Sequence, residues 1–131
     1  MILIDTSVLL ALPALELPAV EVALSTISLA ELRFGIAVAA TSGERASRMA
    51  RLMSIERHAP QWLPFDAAAA EGYGTVAAAI WRQRPAHARS KDAMLAGHAY
   101  ALGAGIATLN PRDFDLVAHL VPITRLGGSA A

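Results

Sequence analysis

Short apolar runs and amphipathic stretches alternate along the chain. Residues 1–4 are uniformly apolar and stop at Asp5-Thr6-Ser7, which predicts a buried strand turning into a helix capped by a carboxylate or hydroxyl. Residues 22–27 carry β-branched side chains and predict a second strand. They lead into Ser28-Leu29-Ala30-Glu31, a Ser-x-x-Glu capping-box pattern that predicts a helix start with Glu31 in its first turn. A further helix is expected over about 44–57, with Met49, Leu52, Met53 and Glu56 on one face, Arg45, Arg48 and Arg51 elsewhere, and Pro60 closing it. Residues 61–65 read as a short strand, and Asp66 before four alanines reads as the N-cap of a helix running to about Trp81.

Residues 82–90 are polar and basic with Pro85 among them, the pattern of a loop. From 91 to 102 nearly every position is apolar or small, so that helix should be buried over most of its surface and stopped by Gly103. Residues 106–109 form the next strand, Asn110-Pro111-Arg112-Asp113 supplies turn chemistry, 121–124 gives a last strand, and 127–131 reads as a frayed tail. Strand and helix thus alternate, and the strands are apolar throughout. This combination predicts an α/β fold with a parallel sheet covered by helices on both faces. One domain over residues 1–126 is expected, because no composition break, repeat or low-complexity linker divides them.

In a parallel sheet every strand ends at the same edge, where open α/β sheets hold their ligands. Asp5 and Asp113 would follow strands directly, and Glu31 would lie in a helical turn after one. Asp92 opens a helix running antiparallel to the strand it feeds, which brings its N-terminus to that edge too. Four carboxylates are therefore expected to converge from four segments. Alone, such a cluster repels itself, and a divalent cation resolves the conflict. With oxygen donors only, Mg²⁺ or Mn²⁺ is favoured over Zn²⁺. Such ions orient a phosphate, activate water and neutralise a leaving oxygen, which makes phosphodiester hydrolysis the leading chemistry.

Composition narrows the setting. Hydrophobic residues make up 55% of the chain and charged residues 17%, which excludes disorder and leaves room for a buried interface such as a homodimer. No cysteine is present, so disulfides and thiolate ligands are excluded. No basic leader precedes the first strand, and no apolar run approaches the ~18 residues of a membrane span. A cytoplasmic, soluble protein is expected. Eleven basic residues balance eleven acidic ones, so the chain lacks the footprint of a protein that grips duplex nucleic acid by charge alone. Lys91 is the sole lysine, a bias better read as genomic composition than as a preference for phosphate.

Ile4-Asp5-Thr6-Ser7, Ser28-Leu29-Ala30-Glu31, Lys91-Asp92-Ala93 through Ala96, and Thr108-Leu109-Asn110-Pro111-Arg112-Asp113-Phe114 together resemble the motifs of PIN-domain nucleases. Their order and the chain length resemble the VapC toxins of bacterial type II toxin–antitoxin pairs, Mg²⁺-dependent endoribonucleases. The resemblance implies a three-layer α/β/α fold with about five parallel strands. It implies an acidic quartet of Asp5, Glu31, Asp92 and Asp113, with Asp5, Asp92 and Asp113 at the metal and Thr6 and Asn110 assisting. It also implies an RNA substrate, a homodimer and a cognate antitoxin that blocks the cleft. Asp115, two residues beyond Asp113, competes for the last role, and motif alignment favours Asp113. Pro13 and Pro18 depart from the more helical connection of relatives.

Each acid also has a plain structural use: Asp5 as a cap, Glu31 as capping-box partner of Ser28, Asp92 as a favourable charge at a helix start, Asp113 as a turn residue. It is the four together, in this order, that argue for a site. Arg82, Arg84, Arg89 and Lys91 could position RNA phosphates, although a solvated loop is the preferred reading. His98 is expected in the core or an interface, as are Trp62, Trp81, Met49 and Met53. A housekeeping PIN-type RNA-processing nuclease is the alternative within the same chemistry, and a non-catalytic Mg²⁺-binding module the alternative outside it. A phospho-acceptor receiver lacks its later lysine and paired acids, a haloacid-dehalogenase-type phosphatase lacks the second aspartate after Asp5, and a nucleoside triphosphatase lacks the glycine-rich loop.

Overall fold

Hydroxyl and carboxylate side chains stop the first two strands and cap the helices that follow. The structure is a computed structural model that describes residues 1–12, 20–58 and 61–126. Strand β1 (Ile2–Ile4) ends at Asp5, whose carboxylate caps α1 (Thr6–Leu9). Strand β2 (Val22–Ser25) passes directly into α2 (Thr26–Ala37), followed by α3 (Ser42–His58) and β3 (Trp62–Leu63). Asp66 caps α4 (Ala67–Trp81) by accepting from the Ala69 amide, as expected from the alanine run behind it. After a 3₁₀ segment at Pro85–His87 come α5 (Lys91–Leu102), β4 (Gly105–Thr108), a 3₁₀ segment at Pro111–Val117, and β5 (Ile123–Arg125). Gly103 ends α5 with φ of 65°, the left-handed conformation that glycine adopts without a steric penalty.

All strand pairs are parallel, in the order β3-β2-β1-β4-β5. Leu3, Ala23 and Ile106 face α4, α5 and the second 3₁₀ segment, whereas Ile4, Leu24 and Ala107 face α1, α2 and α3. Both faces are therefore covered, which is why the strands read as continuous apolar runs. The fold is the expected three-layer α/β/α arrangement with five parallel strands. Because the chain steps outward from β1 to β3 and then returns to the other side of β1 with β4, a crevice opens between the ends of β1 and β4.

Three local expectations are corrected. Helix α2 starts at Thr26, because the buried Ser25 hydroxyl accepts from the Ile27 amide at 3.0 Å and caps the helix there. Ser28 therefore lies inside the first turn and Glu31 in the second, so no capping box joins them. On α3 the buried residues are Leu52 and Ile55, with Met49 half-buried, while Met53 is 54% exposed. Trp81 is likewise 57% exposed, whereas Trp62 is half-buried and donates to a Glu56 oxygen at 3.1 Å. Pro13, Pro18, Pro60 and the 127–131 tail lie outside the described residues.

Helices α4 and α5 form the most heavily packed helix pair. A Cβ at Gly72 would lie 2.2 Å from the Gly97 carbonyl oxygen, and one at Gly97 would lie 2.3 Å from the Tyr73 Cα. The two backbones are thus in direct contact, and α5 is held at a depth that only glycine permits. Ordinary helix propensity makes Gly→Ala favourable by up to about 1 kcal/mol. Gly74→Ala, where nothing lies within 4 Å, should show that gain in urea denaturation. Gly97→Ala should instead lose about 1–3 kcal/mol, because the backbones must separate. A stabilised Gly97→Ala variant would contradict this packing.

Candidate active site

Asp5 stands at the crevice and is buried among donors. Its Oδ1 accepts from the Thr6 amide at 2.9 Å, while Oδ2 accepts from the Ser7 hydroxyl at 2.8 Å and the Thr108 hydroxyl at 2.7 Å. Thr108 is fully buried at the end of β4 and also accepts from the Asn110 amide at 3.0 Å; Ser7 accepts from the Leu109 amide at 3.2 Å. The ends of β1 and β4 are therefore stitched together around one carboxylate. Three donors occupy most of the roughly four acceptor positions of that group, leaving about one for a cation.

Glu31 reaches the same edge from α2. Its Oε1 accepts from the Thr6 hydroxyl at 2.9 Å, and its Oε2 pairs with Lys91 Nζ at 3.2 Å. Thr6 thus bridges Asp5 and Glu31, whereas Asn110 contributes its backbone amide to Thr108. Asp92 follows Lys91 in the first turn of α5, whose N-cap Ser90 accepts from the Ala93 amide at 3.0 Å. Burial pushes the Asp92 carboxyl up to about 6, with further increments from Asp5, Asp113 and Glu31 that Lys91 partly offsets. All three of the other expected site acids are therefore close enough to act on Asp92.

Asp113 sits in the 3₁₀ segment after β4, exposed, and shares the wall of a cleft of about 300 Å³ with Asp92 and Asp115.

The donor set is entirely oxygen, which suits a hard divalent cation. Among the described residues, no three acidic or imidazole side chains lie at the spacing that would hold a metal ion. Mg²⁺ does not require three: it keeps several waters and is commonly held by one or two carboxylates together with substrate phosphate. Asp5, Asp92 and Asp113 carry the kind of oxygen donors that such open coordination uses.

Ser7 and Thr108 carry no role in the sequence reading beyond membership of its motifs. Their signal is topological: one hydroxyl three residues past the end of β1 and one on the last residue of β4, brought together only once β1 and β4 are known to pair. His98 is buried with Nδ1 2.9 Å from the Ser25 hydroxyl and its ring edge-on to Phe65 at a centroid distance of 5.7 Å. The Ser25 hydroxyl thus joins the Ile27 amide and the His98 ring in one buried network. Burial lowers the His98 pKa, an effect that Asp66 partly opposes. It is a core histidine that ties α5 to the cap of α2.

The raised pKa of Asp92 makes a signed prediction for the metal-free protein. The unfolded carboxyl ionises near its ordinary value of 3.8, while the folded one resists until about 6. Ionisation therefore destabilises the fold progressively between those values and fully above them. Asp92→Asn, which mimics the protonated form, should be more stable than wild type at pH 7.5. The shift corresponds to about 3 kcal/mol, which solvent screening of this half-buried group reduces to about 1 kcal/mol. The gain should vanish near pH 3.5 in thermal denaturation with EDTA, and an equal gain at both pH values would contradict the assignment.

The PIN domain profile matches residues 2–120. No curated protein matches the chain. Among solved structures, the chain is similar to one from VapBC-5 of Mycobacterium tuberculosis, a member of the VapBC family of toxin–antitoxin systems, at 25% identity over 95% of each chain with a TM-score of 0.69. It is similar in fold to a chain of DNA-bound VapBC from Salmonella typhimurium, at 23% identity over 95% of this chain and 98% of that one with a TM-score of 0.73. Similarity in fold extends to FitAcB from Neisseria gonorrhoeae, at 24% identity over 95% and 96% of the two chains with a TM-score of 0.69. With a profile match spanning nearly all of the described sheet and every expected site acid, the chain belongs to the PIN domain family.

Proposed function

We propose that this PIN-domain protein is a metal-dependent endoribonuclease that hydrolyses RNA phosphodiester bonds and serves as the toxin of a toxin–antitoxin pair. The observation that carries the proposal is geometric: Thr6 donates to both Asp5 and Glu31, Glu31 pairs with Lys91 beside Asp92, and Asp92 shares a cleft wall with Asp113. Bound by Asp5, Asp92 and Asp113, Mg²⁺ or Mn²⁺ would orient the scissile phosphate and lower the pKa of the attacking water. The chain's own residues do the positioning. Thr108 and Ser7 fix the Asp5 carboxylate, Thr6 and Lys91 hold Glu31, and the Ser90 cap sets Asp92 at the start of α5. Glu31, which among the described residues accepts from one hydroxyl and one ammonium, is the acid left to orient or deprotonate water.

Similarity over 95% of each chain to a structure of VapBC-5, a member of the VapBC family of toxin–antitoxin systems, favours the toxin role over general RNA processing. A cognate antitoxin and a second copy of the chain are its proposed partners. Phe34 (65% exposed) in the last turn of α2 and Val38 at its C-cap present apolar surface suited to such contacts. A cytoplasmic location is part of the same proposal; among the described residues no helix is long and apolar enough to cross a membrane.

The test is cleavage of total cellular RNA by the purified, antitoxin-free protein with Mg²⁺ or Mn²⁺. Discrete fragments are expected, lost with EDTA and reduced at least about 100-fold by Asp92→Asn, since ligand loss should exceed the 10–100-fold cost of outer-shell changes. Wild-type activity in a folded Asp92→Asn protein would refute the site. Thr108→Val, which keeps the shape but removes the donor to Asp5, should cost about 10–100-fold in rate with the fold retained.

A further inference from the structure

We infer that the cleft beside Asp92 and Asp113 is a subsite for the RNA nucleotide flanking the scissile bond, with Arg84 and Arg112 gripping its phosphate. The inference rests on the nuclease reading and extends it to residues outside the acidic quartet. Arg84 comes from the connection after α4 and Arg112 from the 3₁₀ segment after β4, yet both line the same cleft as the two acids. Both arginines are exposed, and neither forms an ion pair among the described residues. Their guanidinium forks are therefore available for a phosphate, which they match in geometry.

The rest of the cleft suits a base or ribose. Ile80, Ala93, Phe114 and Val117 give it an apolar floor whose side chains are buried in the core beneath. Its volume of about 300 Å³ lies at the small end of ligand pockets, enough for one nucleotide unit rather than a folded segment. Charge adds a condition. Asp92, Asp113 and Asp115 outnumber the two arginines, so the bare cleft is net acidic and repels phosphate. A divalent cation held by Asp92 and Asp113 would reverse that sign, so RNA should engage the subsite only in the presence of metal.

The test is fluorescence anisotropy with a 5′-fluorescein-labelled, mixed-sequence octaribonucleotide, on ice, in Mg²⁺ or EDTA, with probe integrity checked on a gel. Binding should require Mg²⁺. Arg84→Ala and Arg112→Ala should each weaken it about tenfold, the order of a lost charged hydrogen bond. Each should also lower the slope of log affinity against log salt by about 0.7, the single-strand value for one phosphate contact. Arg84→Lys and Arg112→Lys should keep the slope, and Arg45→Ala on the exposed surface of α3 should change neither quantity.

Unchanged affinity and slope in both alanine variants would overturn the subsite, even if the protein cuts RNA. RNA bound through both arginines, with neither the probe nor total cellular RNA cut under any metal, would keep the arginine grip on RNA but refute the nuclease reading on which a scissile-bond subsite rests. Loss of grip on a protein partner with RNA affinity intact would give the cleft to a protein ligand and overturn the inference.

Discussion

Gathering carboxylates at one edge of a sheet costs free energy, and that cost organises much of this molecule. Like charges a few ångströms apart resist ionising together. Each acid here meets the problem differently. Asp5 is neutralised in effect by three hydrogen-bond donors, Glu31 by a hydroxyl and the chain's single lysine, and Asp92 by holding its proton up to about pH 6. Asp113 stays at the water-exposed rim. At the one position among them that caps a helix, Asp5, an asparagine or serine would cap α1 without adding to the repulsion.

The sheet order supplies the crevice, and helix packing supplies the distances. Placing β4 beside β1 lets Thr108 reach Asp5 across 103 positions of sequence. The depth of Asp92 depends on α5, which is fixed from below by the glycine contact with α4 and from the side by His98 on Ser25. That second contact also anchors the cap of α2 and hence Glu31. Two helices carrying site acids are thus referred to a common buried hydrogen bond, which limits how far apart the acids can drift.

Much of this was legible in the amino-acid order. The parallel sheet followed from apolar strands alternating with helices, and the Asp66 and Gly103 helix limits from local capping chemistry. What failed was decided by tertiary contact. Ser28 looked like a helix cap, but Ser25 was better placed because it is buried against His98 and fixes the turn first. Met53 fitted an apolar face by spacing, yet Leu52 and Ile55 take the buried positions on α3. The hydroxyl pair around Asp5 was invisible for the same reason: no local pattern tells that residues 5, 7 and 108 meet.

The most direct test of the account is Mn²⁺ binding followed by electron paramagnetic resonance of the free ion, on wild type and on Asp5→Asn and Asp92→Asn proteins at pH 7.5. The account predicts saturable binding to the wild type that is lost or strongly weakened in both variants while their folds persist. Absence of saturable binding to the wild type, or binding that both variants retain unchanged, would contradict it.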